Sequence, residues 1–486
     1  MNNSNPFFQT PSRLALLAAL LLGSAACAVA VENPPSLFIE GYAGQLSVAP
    51  GEEVTFHVST GAAKFDVEIV RLGAQKETVW SRKDVPGQAH PVPENASSGG
   101  CQWPESFRVP VPKEWRSGYC EVTLRAADSG GKFVQRGRRT AESSCFFVVR
   151  SAAPGRDTKV LLQLSANTYN AYNNWGGSSL YAGNSSAKLQ GVRVSFDRPP
   201  ASQFTRWELP FVQWAERNGY SLDYAVNSDL EFHPELLAHY RLVLSVGHDE
   251  YWSGPMRDHL EAFIAQGGNV AFFSANTCYW QVRSEDGGRA LVGWKQNYHQ
   301  DPVFQTGDFR TLSTIWSHHL LERPENQLTG VSFNRGGYHK SKGQLMDGRG
   351  AFTVHRPEHW ALAGAGLRRG DEFGGKDTII GYECDGCELV WKDGLPFATF
   401  ADGTPETFVA LCTAPARNDP EDCYWYDQWD KDRPGGLDGH AVMGLYTKPG
   451  GGTVFTAGTI QWSYGLRGGD KAVERITKNV LDRLSK

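Results

Sequence analysis

Arg241-Leu-Val-Leu-Ser-Val-Gly-His-Asp-Glu-Tyr-Trp252 is the stretch on which the reading of this chain turns. Its apolar run, Leu242 to Val246, lacks polar alternation, the pattern of a strand covered on both faces. The run stops at Gly247, and His248, Asp249, Glu250, Tyr251 and Trp252 follow at once. Ser253-Gly254-Pro255 then opens a helical pattern that reaches Ile264 and stops at Gly267-Gly268. Serine suits an N-cap and the glycine pair a C-terminal stop. The order is strand, reactive loop, helix. In open α/β sheets ligands bind beyond the carboxyl ends of the strands, where this loop would sit.

Working outward, Lys159–Leu164 is a second continuous apolar strand, and Leu222–Val226 and Asn269–Phe273 are two more. Phe204–Asn218 reads as a helix with Trp207, Phe211 and Trp214 on one face. Strands alternating with helices predict an α/β domain with a parallel sheet over residues 156–486. Its last part, from about Asp301, is less regular and includes strand-like Thr378–Tyr382 and Thr453–Ala457. Before the boundary at Ser151–Gly155 the period changes to two. Val54–Val58, Phe65–Leu72, Glu121–Arg125 and Cys145–Arg150 alternate between Gly, Pro and Ser clusters, predicting an all-β, immunoglobulin-like sandwich over residues 34–151. It holds no catalytic cluster and reads as a support module.

The chain has 486 residues, 40% hydrophobic and 21% charged, enough for two domains. A formal net charge of -5 leaves no basic surface and argues against nucleic acid as a partner. Arg13, the apolar Leu14–Leu22 and the Ala28-Val29-Ala30 site form an export signal over residues 1–30, predicting a periplasmic or secreted protein. Lipid anchoring through Cys27 is the weaker alternative, since no leucine stands three positions before it. No second long apolar run marks an integral membrane segment. The remaining eight cysteines predict disulfides, with Cys412 and Cys423 flanking a loop and Cys384-Asp-Gly-Cys387 forming a second pair.

Three strands end in loops of one character: Ser165–Tyr181, Gly247–Trp252 and Ser274–Trp280. In a parallel sheet they emerge at one edge, so tyrosines, a carboxylate, a histidine and an amide would meet. Several chemistries compete for that set. A serine elbow lacks its serine. Cys278 with His248 would give a thiol nucleophile. His318, His319 and His355 are too scattered for zinc. Asp249 and Glu250 with Glu383 would be glycosidase carboxylates, but neighbours on an extended loop point apart. Carboxylate and phenolate oxygens would suit a hard cation, ferric iron in particular. The plain alternative is that the aromatic rings pack the loops and Glu250 caps the next helix.

These loops resemble the N,N-dimethylformamidase large-subunit family. The likeness lies in Asn167-Thr-Tyr-Asn-Ala-Tyr-Asn173, Gly176-Gly-Ser-Ser-Leu-Tyr181, Gly247-His-Asp-Glu-Tyr-Trp252 and Ser274-Ala-Asn-Thr-Cys-Tyr-Trp280, and extends from Lys159 to Lys486. Ser47–Glu52 and Val70–Gly73 look like the module that precedes that domain. The resemblance implies a glutamine-amidotransferase-like α/β fold whose cysteine nucleophile is replaced by a mononuclear Fe(3+) site of two tyrosines and a glutamate. By motif these are Tyr172, Tyr181 and Glu250, with Tyr169 as the alternative to Tyr172. It also implies catalytic roles for His248, Asn276, Lys295 and Glu383. The implied reaction is hydrolysis of a small amide or formamide by an iron-bound hydroxide, with His248 or Glu383 passing a proton to the amine and Asn276 bonding the oxyanion. Two departures bear on the substrate. Asp249 stands where the named enzyme has proline, and that enzyme has a small partner subunit, while this chain carries an export signal. Homo-oligomerisation is left open. The competing function is a secreted carbohydrate-binding or carbohydrate-cleaving protein without a metal site.

Overall fold

The structure, a computed structural model, describes residues 37–128, 139–181, 190–341, 344–346, 349–418 and 437–486. Period-two patterning builds the first part into two sheets. Ile39–Ala43, Glu53–Thr60 and Phe107–Pro110 form one, and Ser47–Val48, Arg139–Val149, Gly118–Asp128, Lys64–Leu72 and Lys76–Pro86, in that order, form the other. Val54, Phe56 and Val58 meet Val67, Ile69, Val122 and Phe147 in a shared apolar core. Alternation sends the next residues, Phe146 and Val148, to the opposite face, where with Leu72 and Tyr119 they join the core of the second part. That face is therefore buried rather than solvated. Tyr119 stacks on Phe204 at 4.0 Å, and Arg71–Glu216 (2.6 Å) and Arg150–Asp229 (2.9 Å) pair charges across the seam.

In the second part Asp223–Val226, Val160–Leu164, Leu242–His248, Asn269–Ala275 and Thr453–Thr456 lie side by side, all parallel. In chain order this is second, first, third, fourth, fifth. The connections from the first strand and its third-strand neighbour thus diverge, which opens a crevice at their carboxyl ends. Leu162, Leu244 and Ala271 face one core and Leu161, Val243 and Val270 the other, so both faces are covered. Helices Glu208–Arg217 and Lys471–Leu484 pack on the first side and Gly254–Ala265 on the second. The sheet is not wholly parallel as predicted. Asp438–Thr447, Val409–Arg417, Ser332–Tyr338 and Glu383–Gly386 extend it with antiparallel pairings, and the protein is β-rich with few helices. A four-stranded sheet, Arg193–Ser195, Ala290–Val292, Trp280–Glu285 and Tyr251–Ser253, lies beside the strand ends.

Several expectations need correction. The strand after Arg241 continues through Gly247 and His248, which pair with Ser274 and Ala275. Gly247 is required there: its φ is +82°, and a Cβ would lie 2.3 Å from Trp207 Cβ. Tyr251–Ser253 is strand rather than loop. Thr378–Tyr382 is a turn, not a strand. Thr378 is left-handed at φ 52°, and Ile379 and Ile380 are buried without strand pairing. The described cysteines form no disulfide. Cys384 and Cys387 enter the cores on opposite sides of the sheet, so their sulfurs do not face each other. The export signal, Cys27 and the Cys423 end of the expected Cys412–Cys423 bond lie outside the described residues. Among the described residues no helix is long and apolar enough to cross a membrane.

Candidate functional site

The crevice holds most of the residues singled out above. The short helix Ala166–Ala171 follows the first strand, and Tyr172 stands at its C-cap. Tyr172 Oη donates to Glu250 Oε2 at 2.7 Å. His248 Nε2 lies 3.3 Å from that oxygen and 3.2 Å from Glu383 Oε2, at ion-pairing distance but with hydrogen-bond alignment to neither. The Tyr181 ring stacks on Tyr172 with centroids 4.8 Å apart. Lys295 Nζ donates to Tyr251 Oη at 2.8 Å and lies over the rings of Trp280 (4.5 Å) and Tyr181 (5.2 Å). Four elements far apart in sequence thus deliver Tyr172, His248–Glu250, Lys295 and Glu383 to one buried cluster.

Glu250 is fixed at every polar atom. Its N–H donates to Thr168 Oγ1 at 2.9 Å, and its carbonyl accepts from the N–H groups of Tyr279 and Trp280, both at 2.9 Å. Trp280 Nε1 donates to Oε1 at 2.9 Å. Asp249 points away, as expected for a neighbour on extended chain. It accepts from Ser245 Oγ (2.8 Å) and Asn227 Nδ2 (3.3 Å). Burial pushes the Asp249 carboxyl up to about 6 against those hydrogen bonds.

The charges of the cluster are mutually dependent. Burial would strip the proton from His248, but Glu383 and Glu250 outweigh it and push the imidazole up to about 9. Burial likewise opposes charge on Glu250, yet His248, Lys295 and Tyr172 hold it below the ordinary carboxylate range. Burial lowers Lys295 to about 8, with Glu250 opposing. The phenol of Tyr172 is held well above its usual range by burial and by Glu250. These directions together favour an ionised Glu250, a protonated His248 and a neutral Tyr172 phenol at neutral pH.

Asn276, after the Asn269–Ala275 strand, takes a left-handed φ of 50°. Its N–H donates to Asp385 Oδ1 at 2.7 Å, and the N–H of Thr277 donates to Oδ2 at 3.2 Å. The Asn276 Oδ1 is buried and accepts no hydrogen bond. Because Glu383 and Asp385 are two apart on one strand and so share a face, that strand supplies the cluster and anchors the Asn276 loop together.

Other residues fall elsewhere. Tyr169 points into the apolar core and donates to Glu208, not to Glu250. Cys278 is fully buried with Trp252 and Trp316 in the other core, and burial raises its thiol pKa, the reverse of an activated nucleophile. Tyr251, Trp252 and Trp280 pack inward, while Tyr172, Trp175 and Tyr181 are partly exposed. Thr168, Tyr251, Trp280 and Asp385 were not assigned roles from the sequence. The first three stand inside the quoted motifs, where the tyrosine and tryptophan read as packing, and nothing in the sequence marks Asp385. Among the described residues no group of three or more His, Cys, Asp or Glu is placed to hold a metal. The oxygen donors at this site are phenols beside a carboxylate.

The chain is similar to the N,N-dimethylformamidase beta subunit of Paracoccus aminophilus, at 25% identity over 79% of this chain and 55% of that protein. It is 24% identical, over the same shares, to the protein of that name from an Alcaligenes species. It thus spans about half the length of these relatives. The sporulation control protein Spo0M of Bacillus subtilis aligns with 25% of the chain at 16% identity and a TM-score of 0.17, too low to carry an argument. The family match begins at residue 66, well before the Lys159 start expected from the motifs, and runs to residue 476. With that match across both parts of the fold, the chain belongs to the family described as N,N-dimethylformamidase beta subunit-like, C-terminal.

Proposed function

We propose that this protein hydrolyses the C–N bond of a small amide or formamide at the Tyr172–Glu250–His248–Glu383 cluster. The observation that carries the reading is His248 Nε2, buried between two carboxylate oxygens at 3.2 and 3.3 Å without an aligned hydrogen bond to either. A protonated imidazole so placed is ready to give its proton to a third group, here the leaving amine nitrogen. Glu383 holds and re-supplies that proton. Lys295 offsets the charge of Glu250, and Asn276 hydrogen-bonds the substrate.

Tyr172, Tyr181 and Glu250 are the residues that would hold a ferric ion; the place of Tyr169 in the core, donating to Glu208, supports Tyr172 over it. The donor chemistry fits: hard oxygens, a buried carboxylate and partly buried phenols, with the Tyr172 phenol 2.7 Å from the carboxylate it would share the ion with. When bound, ferric iron supplies Lewis acidity, lowering the pKa of water and polarising a carbonyl. The fold labels belong to this reading too. A two-sheet apolar core supports an immunoglobulin-like module, and the second-first-third-fourth-fifth strand order supports a glutamine-amidotransferase-like domain. The relatives are named beta subunits, so a further subunit is part of the proposal, as is export to the periplasm or beyond.

The test is metal analysis and a visible spectrum of the purified protein, followed by assay on dimethylformamide and simple formamides. A tyrosinate-to-iron charge-transfer band that is lost in Tyr181→Phe, together with amine release, is the expected result. Protein that stays colourless and iron-free after reconstitution sinks the iron site, and glycans become the next ligands to try.

A further inference from the structure

We infer that Trp280 is a positioning residue that reserves one oxygen of Glu250, so that the carboxylate meets the site through Oε2 alone. The inference rests on the reading of Glu250 as a metal-holding residue. The hydrogen bonds of Glu250 leave few freedoms. Its N–H is taken by Thr168, its carbonyl by Tyr279 and Trp280, and Oε1 by the Trp280 indole. Only Oε2 faces Tyr172 and His248. Ligation through both oxygens would set the ion in competition with the indole N–H for Oε1, and beside the buried Trp280 a weakened N–H bond is costly.

Trp280 is itself held from several directions. Its strand pairs in parallel with Tyr251–Ser253, Trp280 opposite Tyr251, and its backbone bridges to Ile315. It is 3% exposed. The face of the same indole carries the Lys295 ammonium at 4.5 Å, so one ring fixes a carboxylate at its edge and a cation on its face. A tyrosine or phenylalanine could supply the face but not the indole N–H. Removing such an outer hydrogen bond to a metal-holding side chain typically costs 10–100-fold in metal affinity.

Two measurements test this. In protein labelled with 15N at tryptophan, the Trp280 indole resonance is identified by its loss in Trp280→Phe. It should lie downfield in metal-free protein and move upfield in Glu250→Gln; a resonance indifferent to Glu250→Gln overturns the inference. In titrations with ferric citrate, Trp280→Phe should bind iron about 10–100-fold more weakly than wild type, with a shifted charge-transfer band. Equal affinity with an unshifted band overturns it as well. Wild-type protein that takes up no iron defeats the metal reading instead, and the indole resonance then decides the role of Trp280 alone.

Discussion

Two tyrosine–carboxylate pairs start from the same short stretch of chain and end in opposite chemistry. Tyr172 donates to Glu250 in the crevice, and Tyr169, three residues earlier, donates to Glu208 in the core. Both carboxylates are buried, as is Tyr169, while Tyr172 is partly buried. They differ in what surrounds the carboxylate. Glu250 has His248 at 3.3 Å and Lys295 near by, and these cations hold it ionised. No cation stands among the main influences on Glu208 within the described residues; burial pushes it up to about 8, although the Tyr169 hydrogen bond works the other way, and its Oε2 has no hydrogen-bond partner there. A buried phenol beside a carboxylate is therefore not a site in itself. Neighbouring positive charge is what keeps an oxygen donor charged in a dry place.

The comparison is broken most directly by removing each phenol in turn. Tyr172→Phe should abolish the charge-transfer band and reduce amide hydrolysis at least as far as loss of an acid–base group does, about 10²–10⁴-fold. Tyr169→Phe should leave iron loading and the band intact. Equal loss of iron in both variants would show that the core pair belongs to the functional machinery after all.

Tyr169→Phe should be felt in stability. Deleting its hydroxyl removes the donor to Glu208 inside an apolar core, an effect of about 1–3 kcal/mol. The measurement is urea denaturation of metal-free protein beside Tyr172→Phe, whose carboxylate keeps its Trp280 bond. A Tyr169→Phe protein as stable as wild type would mean that Glu208 finds another partner or is neutral without help.

How much of this was legible in the sequence follows from what each signal measures. Leu242–Val246 and Lys159–Leu164 are apolar without alternation, which only a strand covered on both faces requires, and that placed three loops at one sheet edge correctly. The same signal failed at Thr378–Tyr382, because Ile379 and Ile380 bury their side chains from a turn and composition does not distinguish the two. The Cys384–Cys387 spacing looked like a bond. Along extended chain an odd separation sends two side chains to opposite faces, and these two enter different cores. Tyr169 and Tyr172 could not be separated from residues alone. Their spacing suits one helical face, but the helix ends at Ala171 and Tyr172 leaves from its cap. The pairing of Glu383 with His248 depends on Glu383–Gly386, a strand distant in sequence from the motif that joins the sheet through antiparallel pairing with Ser332–Tyr338, and no local pattern reports that.

The smallest effect expected is a pH dependence, and it sharpens the comparison most. Glu208 is raised to about 8 in the fold, from an unfolded value near 4.3. Folding thus favours its protonated form. The stability tied to that proton is complete below the unfolded value and is lost as pH rises through about 8. The slope cannot exceed about 1.4 kcal/mol per pH unit for one group. Glu208→Gln keeps the shape and removes the titration, so melting temperature between pH 5 and 9 should fall less steeply than in wild type. Glu250 behaves oppositely, since its folded value is lowered: its contribution is present above the unfolded value and lost as pH falls through the folded one. Glu250→Gln should therefore remove part of the acid limb, and because Glu250 supports the charges of His248 and Lys295 it should also alter the alkaline limb. Glu208→Gln should leave the acid contribution of Glu250 in place. If Glu250→Gln leaves the acid limb as it is in wild type, Glu250 is not held ionised by its neighbours, and the distinction drawn from His248 and Lys295 is wrong.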